Sequence, residues 1–132
     1  MSTLKTGDSF AFRKTITVAE QAMFTGISGN LGGLYVDATR ARALGAPAQV
    51  AFELIAGAMA STALNRLTGP EWRLRGVSFE FPVPVHIGNS IEARAEVTAL
   101  SGTEITCAIT CTLNPEGTIV ATGRAQLVPY AA

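Results

Sequence analysis

Three polar side chains stand where this sequence is otherwise apolar or glycine-rich. They are Asn30 and Tyr35 in GISGNLGGLYVD (residues 26–37) and Glu53 in QVAFELIAGAMASTALNRLT (residues 49–68). Each type suits a different task. An Asn amide orients a water but carries no proton at any accessible pH, and a phenol with a free pKa near 10 donates to an oxyanion or acts as a general acid. Both can equally be loop residues that only pack a cleft. A Glu in the first turn of an apolar helix is favoured by the helix dipole. The same carboxylate, facing a tunnel, would have its pKa raised by burial and be suited to activating water.

The remaining chemistry-bearing residues are few. Arg73 and Arg75 in WRLRG lie two apart, on one face of a strand, where two guanidinium groups can grip phosphates or line a solvated edge. Arg40 and Arg42 carry the same two options. His86, the one histidine, precedes a Gly88-Asn89 turn and suits a structural place or a contact with ligand or partner. Ser61 in mid-helix either touches a ligand or bonds back to its own helix. Cys107 and Cys111 in CAITC would lie about 13 Å apart on one strand, too far to bridge, and read as free buried thiols of a reducing compartment. A metal site needs more ligands than these. Gly32-Gly33 lacks the lysine and spacing of a phosphate loop and predicts a mobile segment instead.

These residues need elements to hold them. Phe10 and Phe12 alternate with Ala11 and Arg13, a short strand. Thr17-Val18-Ala19-Glu20 is a capping box opening a helix over 18–28 that stops at Gly29. A short helical piece over 39–44 is broken by Gly45 and Pro47. The longest helix is expected over 49–68, apolar nearly all round and therefore buried, ending at Gly69-Pro70. Period-two alternation then runs through GVSFEF, IEARAEVTAL and ITCAITCTL, with turns at Ser101-Gly102 and NPEG (114–117) and a last strand over 118–128. Helices first and strands in a run is an α+β pattern. The economical packing curls the antiparallel sheet around the long helix, the hot-dog arrangement, and leaves a sheet edge for a second copy to cover.

Bulk properties narrow the partners. The 132 residues suit a single domain. Only 15% are charged, which points to surface buried against another subunit. Net charge is zero, so nucleic acid is excluded as a partner. The sequence MSTLKTGDSF has no apolar leader and no run long enough to span a bilayer follows, so no membrane partner and a cytoplasmic place are expected.

FTGISGNLGGLYVD (24–37), Pro47, the long helix and GVSFEFPVPVHIGNSIEARAEVTAL (76–100) together resemble the MaoC-like, R-specific enoyl-CoA hydratases. The second block carries Phe-x-x-Pro-Val-x-x-Gly followed by a strand ending Val-Thr-Ala-Leu. The resemblance covers residues 24–127. It implies a dimeric hot-dog protein that hydrates trans-2-enoyl thioesters or dehydrates (R)-3-hydroxyacyl thioesters of CoA or an acyl carrier, with no cofactor beyond that thioester. The family loop reads Gly-Asp-x-Asn-Pro-x-His. Here Gly29 matches, Asn30 takes the place of Asp, Gly32 and Gly33 those of Asn and Pro, and Tyr35 that of His. The His-Gly pair opening the family's long helix falls on Val50 and Ala51, which makes the Ala51 amide the expected donor to the thioester carbonyl. A hydratase homologue with an altered site is one implied function. Others are a non-catalytic subunit paired with an active homologue, and a hot-dog thioesterase using Glu53.

Overall fold

The computed structural model describes residues 3–131. One five-stranded antiparallel sheet curls over one long helix. The strands are β1 (Ser9–Thr15), β2 (Trp72–Glu80), β3 (Ser90–Leu100), β4 (Ile105–Leu113) and β5 (Ile119–Pro129), and their order in the sheet is β1-β3-β4-β5-β2. The helices are α1 (Val18–Ser28), α2 (Gly33–Val36), α3 (Ala38–Ala43) and α4 (Glu53–Thr68). This is the α+β hot-dog architecture expected.

The alternation seen in the sequence becomes the two sides of the sheet. Ile91, Ala93, Ala95 and Val97 of β3, and Ile105, Cys107, Ile109 and Cys111 of β4, are all buried. They face Ile55, Ala56, Met59, Ala60, Ala63 and Leu64 of α4 in one cluster. Alanines on both sides of that contact let helix and sheet come close. Cys107 and Cys111 are free and buried, and burial pushes both thiols up to about 11.

Thr17 and Glu20 form the expected capping box at α1. The Glu20 carboxylate accepts from the Thr17 hydroxyl and amide and meets Lys14 at 3.0 Å, which together hold its pKa down at about 2. Gly29 closes the helix in the left-handed conformation, φ 75°.

Two expectations change. The long helix begins at Glu53, four residues later than the apolar pattern suggested. Val50 instead pairs with His86 in an isolated β-bridge, and the Ala51 amide donates to the Val85 carbonyl at 2.7 Å. Long-range pairing to the 82–89 segment thus holds residues 49–52 extended. The Gly32-Gly33 segment, expected to be mobile, is a helical turn. A Cβ on Gly33 would lie 2.6 Å from Cδ of Arg40, and one on Gly32 would lie 3.3 Å from the Tyr35 ring, so both glycines are there for close approach.

Leu54, Met23 and Ile27 remain on the surface, the last 86% exposed. Met23 and Ile27 share a groove with Phe12, Ala58 and Thr62 that is mostly apolar and edged by Lys14 and Glu20. No helix among the described residues is long and apolar enough to cross a membrane.

Gly123 tests the packing of the sheet. A Cβ there would strike the Ser78 carbonyl oxygen and lie 2.8 Å from the Phe79 ring. Gly123→Ala is expected to destabilise the fold by about 2 kcal/mol or more in urea unfolding. Wild-type stability in that variant would show that β2 and β5 have slack.

Candidate functional site

The first turn of α4 gathers the site. Phe52 is its N-cap and offers no side-chain cap to the helix amides. Among the described residues the amides of Glu53 and Leu54 have no acceptor, so two donors and the positive end of the helix dipole point out of this turn. The donor expected at Ala51 is not available, because that amide is already bonded to Val85. The later helix start moves the free amides to Glu53 and Leu54.

Tyr35 and Glu53 meet here. The Tyr35 hydroxyl donates to Glu53 Oε1 at 2.8 Å. Both side chains are half-buried. The Tyr35 ring stacks on Phe52 at 4.5 Å between centroids, and Phe52 stacks on Phe24 at 4.6 Å. Three aromatic planes thereby fix the phenol over the helix start. Burial pushes the Tyr35 phenol above its ordinary value of 10.0, and the hydrogen bond and negative charge of Glu53 push it the same way. No other donor among the described residues reaches the Glu53 carboxylate, which leaves Oε2 open to a water or ligand.

Beneath Glu53 lies a narrow apolar crevice lined by Phe52, Ala56, Phe81, Val83, Val85 and Val120 among others. Its volume of about 20 Å³ admits a water or two, given the ~10–15 Å³ that one needs. Tyr35 itself does not line it.

Gln21 organises the site, and sequence reasoning missed it. It is 4% exposed. Its Nε2 donates to the carbonyls of Tyr35 (2.9 Å) and Val50 (2.7 Å), and its Oε1 accepts from the Phe52 amide at 3.2 Å. Gln49 adds a second donor to the Tyr35 carbonyl at 2.9 Å. One amide therefore ties α1, α2 and the lead-in to α4 together. The available signal was position: Gln21 lies three residues before Phe24, on the inward stripe of α1, where an apolar residue is the norm.

The other sequence candidates lie elsewhere. Asn30 is exposed, and its Oδ1 accepts from the Gly32 amide at 2.8 Å, so it shapes the turn into α2. Asp37 caps α3 through the amides of Thr39 and Arg40. Arg73 and Arg75 do not share a regular strand face, because β2 slips register against β5 between Leu74 and Gly76. Arg75 pairs with Glu104, and both arginines are exposed at the far end of β2 from Glu53. Ser61 bonds back to the Ala58 carbonyl at 2.6 Å. His86 is half-buried, and its amide donates to Asn89 Oδ1. No cluster of metal-ligating side chains occurs among the described residues.

Gln21→Leu leaves the Phe52 amide and the Val50 carbonyl without partners. A loss of about 2–6 kcal/mol in unfolding free energy is expected, at ~1–3 kcal/mol for each of the two orphaned groups. A loss under 0.5 kcal/mol would show that water replaces the amide. In Tyr130→Phe protein, Tyr35 is the one tyrosine left, and absorbance at 295 nm should show it ionising above pH 10, with Glu53→Gln moving the midpoint down. Because the folded-state value is the higher one, the stability this group contributes is complete below pH 10. It is lost as pH rises through the ionisation of the folded phenol. A midpoint unmoved by Glu53→Gln would break the link between the two groups.

Comparison with known proteins agrees with this fold. No protein-family model matches the chain. It is 28% identical over 128 residues to an (R)-specific enoyl-CoA hydratase of Rhodospirillum rubrum, across 95% of this chain and 88% of that one. It superposes on the (R)-hydratase of A. caviae involved in PHA biosynthesis with a TM-score of 0.91 and 24% identity, covering 98% and 99% of the two chains. It also superposes on a chain of the ChsH1-ChsH2 complex of Mycobacterium tuberculosis, with a TM-score of 0.85 and 14% identity over 95% and 98%. The likeness first visible in residues 24–37 and 76–100 therefore extends over nearly the whole chain, which has the hot-dog fold and is similar to (R)-specific enoyl-CoA hydratases.

Proposed function

We propose that the chain is a hydro-lyase for acyl thioesters in which Glu53 does the acid–base work and Tyr35 positions it. The observation that carries this is the 2.8 Å bond between them, made at a helix start whose first two amides have no acceptor. In the hydration direction a trans-2-enoyl thioester would place its carbonyl oxygen against the Glu53 and Leu54 amides, which stabilise the charge that develops there. Glu53 Oε2 takes a proton from a water as its oxygen bonds to C3, and that proton then returns to C2. One H and one OH are added, and nothing else is consumed. Tyr35 holds Oε1 and keeps the carboxylate aimed. Asn30, at the position of the family's Asp by resemblance, belongs to the loop in this reading rather than to proton transfer.

The apolar side of α1 and α4 and the free edge of β2 suit pairing with a second copy, which would also shelter the site from water. A second reading is a non-catalytic subunit held by an active homologue. The engagement of Asn30 by the Gly32 amide favours it, and ChsH1-ChsH2 is a complex of two different chains on this fold.

Purified homo-oligomer assayed against enoyl-CoAs at 263 nm separates these. Hydration should occur and fall ~10²–10⁴-fold in Glu53→Gln, the usual contribution of an acid–base group, with a smaller loss in Tyr35→Phe. Undiminished hydration in Glu53→Gln would remove that residue from the mechanism. No turnover without a co-purifying homologue would favour the subunit reading. Thiol release from saturated acyl-CoAs, lost in Glu53→Gln, would instead mark a thioesterase.

A further inference from the structure

We propose that Gln49 is a positioning residue that keeps the Tyr35 hydroxyl on Glu53. Where the inference concerns turnover it rests on the reading above.

The bond between Tyr35 and Glu53 joins two pieces of chain that share no secondary structure. α2, which carries Tyr35, is a single turn of four residues without a side-chain cap. Its last carbonyls have no following turn to bond to. That of Leu34 accepts from the Val50 amide at 3.1 Å, and that of Tyr35 accepts from Gln21 and from Gln49, each at 2.9 Å. The stack of the Tyr35 ring on Phe52 does not replace these bonds. Offset stacks tolerate a broad range of ring displacements, so the stack sets the plane of the phenol but not its place in that plane. Where the hydroxyl lands is decided by the backbone of residue 35.

Gln21 and Gln49 hold that backbone from different elements. Gln21 reaches it from α1 and also bonds the Val50 carbonyl and the Phe52 amide. Gln49 reaches it from the extended chain that runs into α4, four residues before Glu53. Its own carbonyl accepts from the Ile87 amide at 3.0 Å, and the next two residues are pinned by His86 and Val85. The brace thus runs from Tyr35 to Gln49, along an anchored segment to Glu53, and back to Tyr35 through the 2.8 Å bond. A change in the spacing of α2 and this segment is a change in the spacing of phenol and carboxylate.

The two amides differ in what their loss would expose. Gln49 is half-buried and stands with Val18, Leu31 and Val36 along an open groove. No buried polar side-chain atom among the described residues lacks a partner, so the Gln49 Oε1, which accepts from none of them, is open to water. Without Gln49 the Tyr35 carbonyl still has Gln21 as donor. Gln49 therefore contributes alignment and little stability, the reverse of Gln21, whose loss strands buried groups.

Gln49→Met keeps the length of the side chain and removes the donor. In Tyr130→Phe protein, the Tyr35 ionisation followed at 295 nm should then fall at lower pH than in the parent, as the phenol loosens from Glu53. Glu53→Gln added to that variant should lower the midpoint less than it does alone, because both changes act on one bond. The melting temperature should stay within about 5 °C of the parent, well above that of Gln21→Leu. In hydration of enoyl-CoA, kcat should fall about tenfold with KM changed less than about twofold, since substrate is still bound but the carboxylate is aimed less well. An unmoved phenol midpoint in folded Gln49→Met would overturn the proposal, as would unchanged kcat in an enzyme that turns over. A loss of stability as large as that of Gln21→Leu would also overturn it, by making the bond a structural one. A lowered midpoint in a protein that hydrates no enoyl-CoA would support the brace while removing the hydro-lyase reading.

Discussion

Burial of α4 is the constraint from which the rest follows. A helix enclosed by a curled sheet satisfies its middle through its own backbone bonds, but its first amides have no such partners. The turn is flanked by Ala51, Phe52 and Ile55, all buried, so water has only a narrow approach to it on the side of Glu53 and Leu54. The chain answers in two ways. Gln21 takes the Phe52 amide, and Val85 takes that of Ala51. The next two amides, of Glu53 and Leu54, are left beside a carboxylate and a phenol. The site is thus the unsealed end of the core, and its donors exist because the helix had to be buried.

The same constraint explains the polar residues around it. Gln21 costs free energy to bury unless all its groups are bonded, and here its amide makes three bonds to backbone that no secondary structure satisfies. It therefore fixes the Tyr35 carbonyl and the α4 lead-in at once. The aromatic stack of Phe24, Phe52 and Tyr35 supplies the apolar half of that clamp. Position of the phenol is over-determined, which a group that aims a carboxylate needs more than it needs mobility.

What was legible in the sequence is what local patterns encode. Period two in β3 and β4 gave the buried side of the sheet residue by residue, and the capping box gave the start of α1. The start of α4 was not legible, since residues 49–52 are as apolar as the helix they precede. Only pairing with Val85 and His86, more than thirty residues on, makes them extended. The arginine pair failed for a related reason: a bulge at Arg75 breaks the alternation that put it beside Arg73. Tyr35 and Glu53 were each singled out by type, yet their contact spans eighteen residues and no spacing rule joins a loop turn to a helix start.

A phenol at position 35, where the family resemblance places an imidazole, bears on which partner can hold a working proton. A phenol whose pKa is raised by burial and by a neighbouring carboxylate stays protonated throughout the neutral range, so it acts as a fixed donor and not as a base. Its value lies in what it does to the other group. By occupying Oε1 it stops the Glu53 carboxylate rotating freely and leaves Oε2 held in one direction. At most positions a glutamate at a helix start is a dipole partner facing solvent. Here the phenol turns it inward, over an apolar crevice, which converts an electrostatic ornament of the helix into a group with a defined line of approach. The Tyr35 loop and the glutamate are therefore best understood together: with Tyr35 replaced by a smaller residue Glu53 would lose the one side-chain donor it has among the described residues, and without Glu53 the phenol would lose its acceptor.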